Sequence, residues 1–106
     1  MNKRMLQVML VDDKKSIVDG LEVLIDWKSL GYEITAKTVS AKEAVEIART
    51  RDFDLIITDI RMPRVSGLDL IRIISEENKT NTHFIVISGY KEFEYAHQAL
   101  AYGVEN

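Results

Sequence analysis

Two short apolar runs, each cut off by acid, constrain this chain more than anything else in it. Val8-Met9-Leu10-Val11 ends in Asp12-Asp13, and Leu55-Ile56-Ile57-Thr58 ends in Asp59. Runs this short, apolar on both faces, read as strands covered on both sides rather than as helices. Such strands belong to parallel sheets, whose ligand sites lie beyond the carboxyl ends of the strands. Both acidic groups stand at that end, so three carboxylates are expected at one rim. After Asp59 comes Ile60-Arg61-Met62-Pro63-Arg64-Val65-Ser66-Gly67, punctuated by a proline and a glycine.

The rest of the chain alternates between strand and helix patterns. Ser16 is placed as an N-cap, followed by Ile17, Leu21, Leu24 and Ile25 on one helical face. Gly31 suits a turn, and residues 33–39 suit a strand near a sheet edge. Ser40 and Glu43 have capping-box spacing ahead of a small-residue stripe, Ala41, Ala44, Val45 and Ala48. Residues 53–58 form the predicted central strand. Gly67 opens a helix with Leu70, Ile71 and Ile74 facing inward. Phe84-Ile85-Val86-Ile87 is a fourth strand ending at Ser88-Gly89, and residues 92–102 form a fourth helix with Phe93, Ala96 and Leu100 on one face. Alternation of this kind implies a parallel sheet with right-handed crossovers. The prediction is one α/β domain over residues 1–106 that stops after its fourth helix.

Composition narrows the chemistry. With no cysteine, disulfides, thiolate metal sites and thiol catalysis are excluded. A net charge of -3 argues against direct nucleic-acid binding. No apolar run reaches the length of a membrane span, and the N-terminus lacks the long apolar stretch of a signal peptide, so a cytoplasmic location is expected. Three carboxylates at one rim repel, and they raise one another's pKa unless a cation sits among them. Mg²⁺ suits an all-oxygen donor set, whereas zinc favours His or Cys and calcium loops space their acids differently. The Ser88 hydroxyl closes the fourth strand at the same rim. A carboxylate, a metal and hydrogen-bond donors for phosphoryl oxygens are the parts needed for phosphoryl transfer to a nucleophilic aspartate.

Each residue also has a plainer reading. An Asp pair commonly just ends a strand in a turn, and Ser-Gly commonly marks a turn. Thr58 points to the face opposite Asp59. His83 and His97 read as surface residues, and Tyr90, Tyr95 and Tyr102 as packing residues. Arg61, Arg64, Lys14 and Lys15 either meet an anionic donor or simply solvate loops. Agreement among three strand ends favours the site.

Val11-Asp12-Asp13, then Asp59-Ile60-Arg61-Met62-Pro63 with Gly67, then Ile87-Ser88-Gly89-Tyr90 together resemble the receiver domain of bacterial two-component response regulators. Leu24-Ile25-Asp26-Trp27, Leu30-Gly31-Tyr32, Gly89-Tyr90-Lys91-Glu92-Phe93-Glu94-Tyr95-Ala96 and Tyr102-Gly103-Val104 resemble receivers joined to AraC-type DNA-binding domains. The resemblance implies a flavodoxin-like doubly wound sheet of order 2-1-3-4-5, with only 2-1-3-4 expected here. The fifth strand, its lysine and the fifth helix would be missing. It implies that Asp59 is phosphorylated by the phosphohistidine of a sensor histidine kinase. Asp13 and Asp59 would ligate Mg²⁺ directly, Asp12 directly or through water, and Arg61 through its backbone carbonyl. Ser88 would report the phosphoryl group.

On this reading the chain is a regulatory domain rather than an enzyme, with Mg²⁺-dependent self-phosphorylation and dephosphorylation at most. Transcriptional output would come from a domain that is not in this chain. An uncovered fourth-strand edge or the fourth helix would support self-association. Two rivals stand beside it. One is a non-phosphorylated interaction module. The other is a small aspartate-nucleophile phosphohydrolase, for which Arg61 occupies the position of a needed second acid.

Overall fold

The computed structural model describes residues 5–62, 64–77, 81–87 and 104–105. Five parallel strands make the sheet: β1 (Leu6–Val11), β2 (Tyr32–Thr38), β3 (Leu55–Asp59), β4 (His83–Ile87) and β5 (Val104–Glu105), in the order β2-β1-β3-β4-β5. Among the described residues, three α-helices lie between the first four: α1 (Lys15–Leu24), α2 (Ala41–Thr50) and α3 (Gly67–Glu77).

The two apolar runs are the inner strands, and both of their faces are covered. On one face Met9, Val11, Ile56, Phe84 and Val86 meet Ala41, Ala44 and Val45 of α2 and Leu70, Ile71 and Ile74 of α3. On the other, Val8, Leu10, Leu55 and Ile57 meet Val18 of α1, with Leu21, Trp27, Ile85 and Ile87 at the margin. Adjacent residues of β1 and β3 therefore serve opposite layers, which is why these runs show no polar alternation. Full burial of a side chain such as Leu70 or Ile71 contributes about 1.5–3 kcal/mol.

β2 lies at the edge, as its looser pattern predicts. Its register against β1 slips between Val8↔Ile34 and Met9↔Ala36, leaving Thr35 without an opposite residue. The Thr35 carbonyl instead accepts from the Arg51 guanidinium at 3.1 Å. That guanidinium also lies 5.3 Å over the Phe53 ring. Gly31, at φ 89°, ends the 3-10 turn Lys28–Leu30 as expected.

α1 departs from the sequence pattern in two ways. Ser16 lies inside the helix, and Lys14 occupies the N-cap without a side-chain cap. The Lys14 N–H donates to Asp12 Oδ1 at 2.9 Å, so the acid pair starts the helix earlier than a serine cap would. The inward face centres on Val18 (3% exposed), while Ile17 and Leu24 are 40% and 84% exposed.

The order β2-β1-β3-β4 is the expected one. Beyond it, Val104 and Glu105 pair in parallel with Phe84 and Ile85. The position predicted to be empty thus holds a two-residue strand. That side of β4 is paired along Phe84 and Ile85 rather than bare. The predicted fourth helix, with Phe93, Ala96, His97 and Leu100, lies outside the described residues. Among the described residues, no helix is long and apolar enough to cross a membrane.

Candidate functional site

The site follows from strand register. β1 and β3 are neighbours with Val11 opposite Thr58, so Asp12 and Asp59 leave the sheet side by side. Asp13 follows at the mouth. Asp12, Asp13 and Asp59 each offer a carboxylate oxygen, and these oxygens lie within 4.8 Å of one another. The acids that the sequence placed at separate strand ends are therefore one cluster.

Each inner carboxylate is held by backbone. Asp12 is buried, and its Oδ1 accepts the Lys14 N–H at 2.9 Å. Asp59 Oδ1 accepts the Ile60 N–H at 2.8 Å, and the backbone N–H of Arg61 also bonds the carboxylate. Burial pushes the Asp12 carboxyl above its ordinary 3.8; the charges of Asp59 and Asp13 add to this, and the Lys14 N–H opposes it. Burial likewise raises Asp59, with the Asp13 charge adding. The N–H groups of Ile60 and Arg61 and the Lys14 charge pull it back. A cluster of oxygen donors whose ionised forms are disfavoured by burial and by each other fits a hard divalent cation such as Mg²⁺.

The surrounding cations separate clearly. Lys14 acts on Asp59 through its charge, whereas the Lys15 ammonium is taken by Asp19 at 2.6 Å. The Arg61 side chain is exposed, and its backbone N–H is the part that meets Asp59. Arg64 is exposed and holds a left-handed backbone at φ 70°. His83 is exposed at the start of β4, the end of the strand opposite the acids. Ser88 lies outside the described residues.

Thr58, set aside in the sequence for its direction, nonetheless touches Asp59. It does point away from the acid face and is 1% exposed, but its hydroxyl donates to the backbone carbonyl of Asp59 at 2.9 Å. A hydroxyl in an otherwise aliphatic buried strand must find an acceptor, and that requirement was the available signal.

Known proteins agree with this architecture. The family model for the response regulator receiver domain matches residues 8–106. The uncharacterized transcriptional regulatory protein YesN of Bacillus subtilis is 39% identical over 102 residues, which is 96% of this chain and 27% of YesN. This chain thus spans about a quarter of that relative's length. The REC domain of AraT, a response regulator from Geobacillus stearothermophilus, superposes with a TM-score of 0.87 at 35% identity, over 95% of this chain and 78% of that one. A two-component transcriptional regulator AraC from Clostridium phytofermentans superposes with a TM-score of 0.74 at 33% identity, over 85% of this chain and 72% of that one. Fold, acid cluster and relatives converge: the chain belongs to the response regulator receiver domain family, and it is similar to receivers of AraC-type transcriptional regulators.

Proposed function

We propose that Asp59 is a phosphoacceptor and that this chain is the regulatory input of a cytoplasmic two-component transcriptional regulator. The observation that carries the reading is the convergence of three carboxylates on Asp59, whose own oxygen is fixed by the Ile60 N–H. The donor would be the phosphohistidine of a sensor histidine kinase. A carboxylate oxygen of Asp59 forms the new P–O bond as the P–N bond to the imidazole breaks, and the leaving nitrogen keeps the electron pair.

Asp12, Asp13, Asp59 and the backbone carbonyl of Arg61 would hold Mg²⁺. When bound, the ion offsets the negative charge of the carboxylates and the phosphoryl group. The N–H groups of Ile60 and Arg61 orient the nucleophile, and Lys14 lends positive charge beside it. Ser88, carried over from the resemblance, would sense the phosphoryl group by its hydroxyl. The phosphohydrolase reading is disfavoured because Arg61 is basic where a second acid is needed. The interaction-module reading gives no reason for three acids to converge.

The test is incubation of the chain with acetyl phosphate and Mg²⁺, followed by intact-mass measurement. Addition of one phosphoryl group to the wild type and none to Asp59→Asn supports the assignment. An unmodified wild type, or equal modification of Asp59→Asn, overturns it.

A further inference from the structure

The peptide joining Asp59 to Ile60 is gripped at both ends. Its N–H donates to Asp59 Oδ1 at 2.8 Å, which fixes the direction of the carboxylate. Its carbonyl accepts the Thr58 hydroxyl at 2.9 Å and lies against the first residue of α3. A Cβ placed on Gly67 would stand 1.9 Å from the Asp59 carbonyl oxygen, 2.9 Å from its carbonyl carbon and 3.0 Å from Ile60 Cα. The obstructing atoms are backbone, so no flexible side chain can yield, and only glycine permits this approach.

Gly67 also donates its N–H to the Ile60 carbonyl at 2.7 Å, closing the loop between β3 and α3. The helix is anchored where it makes this contact. At its N-terminus the Asp69 N–H donates to Ser66 Oγ at 3.1 Å, and the Ser66 N–H donates to Asp69 Oδ2 at 3.2 Å. Leu70 and Ile71, one turn further along, have no exposed surface.

We infer that Gly67 is a positioning residue for Asp59: the seat of α3 on the Asp59 carbonyl sets the plane of the 59–60 peptide and, through the Ile60 N–H, the aim of the carboxylate. A peptide unit is planar and turns as one body. A methyl group at position 67 displaces the carbonyl, and the N–H at the other end of the same plane swings away from Oδ1. The functional meaning of the link rests on Asp59 being the phosphoacceptor; the geometric link does not.

The experiment compares Gly67→Ala with Ile74→Val, a truncation in the buried face of the same helix two turns away. Three quantities are read: exchange protection of the Ile60 amide without metal or donor, the Kd for Mg²⁺, and the rate of modification by acetyl phosphate. Gly67→Ala is expected to lose Ile60 protection, weaken Mg²⁺ about tenfold or more and slow modification by a similar factor. Ile74→Val is expected to lower the melting temperature while leaving all three unchanged.

An Ile60 amide as protected in Gly67→Ala as in the wild type overturns the inference, as does equal loss in Ile74→Val. Should Gly67→Ala not fold, native-state exchange of the wild type decides. Ile60 and Gly67 amides opening in one step support the link, and Ile60 opening separately and more easily overturns it. Lost Ile60 protection in Gly67→Ala, with a wild type that acetyl phosphate leaves unmodified, supports the positioning link while removing the phosphoacceptor reading.

Discussion

At the scale of single residues, Asp59 is held in a form that costs the fold stability. Burial raises the carboxyls of Asp12 and Asp59 above the ordinary 3.8, so the native chain retains protons that the unfolded chain releases. Their contribution to stability therefore falls as pH rises from that ordinary value through the raised native values, and it stays low above them. Asp59→Asn removes one of these charges, keeps an oxygen for the Ile60 N–H and relieves Asp12. In chelator at pH 7 the variant is expected to melt above the wild type, with the gap closing as pH falls towards about 4. Thermal melts across that range check it, and a wild type that melts higher throughout would contradict it. Arg64 is a second residue under local cost, because at φ 70° a side chain crowds the following backbone. Arg64→Gly removes that crowding but frees the unfolded chain. A net gain of about 0.5 kcal/mol is expected in urea unfolding.

At the scale of elements, the small-residue stripe of α2 and the inward face of α3 were legible because helical spacing brings those residues together wherever the helix lies. The capping box of α2 was legible only in half. Ser40 Oγ accepts the Glu43 N–H at 3.2 Å as the spacing predicts. The Glu43 carboxylate, however, takes the Thr38 hydroxyl, and Thr38 Oγ1 in turn accepts the Ser40 N–H at 3.1 Å. A buried threonine at the end of β2 has thus inserted itself into the cap, and no helix-spacing rule anticipates a partner from the preceding strand. Ser40→Ala is expected to cost about 1 kcal/mol by equilibrium unfolding, since Thr38 does not replace the lost acceptor for the Glu43 N–H. The face of α1 was misassigned for a related reason. Leu21 packs inward as expected, but Ile17 and Leu24, which also satisfy the helical period, stay exposed, and the direction in which the helix leans on β1 and β2 selects Val18 instead.

At the scale of the whole molecule, the acid cluster ties two strands at the middle of the sheet to one charge balance. A cation that binds only the folded chain stabilises it in proportion to the logarithm of its concentration. Mg²⁺ is accordingly expected to raise the melting temperature progressively at pH 7, by an amount equivalent to about 2.7 kcal/mol at a hundredfold excess over its Kd. Asp59→Asn should flatten that dependence. Calorimetry over a Mg²⁺ series measures both, and a flat wild-type curve would remove the metal from the proposal.

The sequence by itself determined the order of the first four strands and the three helices between them, the parallel sheet and the three acids at two strand ends, but not the short fifth strand. These follow from local periodicity and from the rule that parallel strands share one carboxyl end. Only the tertiary structure decided how the Asp59 carboxylate is aimed. Thr58 bonds the Asp59 carbonyl, Gly67 lies against it, and Ile60 holds the carboxylate from the same peptide. The approach of α3 depends on how deeply Leu70 and Ile71 seat the helix on the sheet, a distance set by packing across the core that no local pattern of residues encodes.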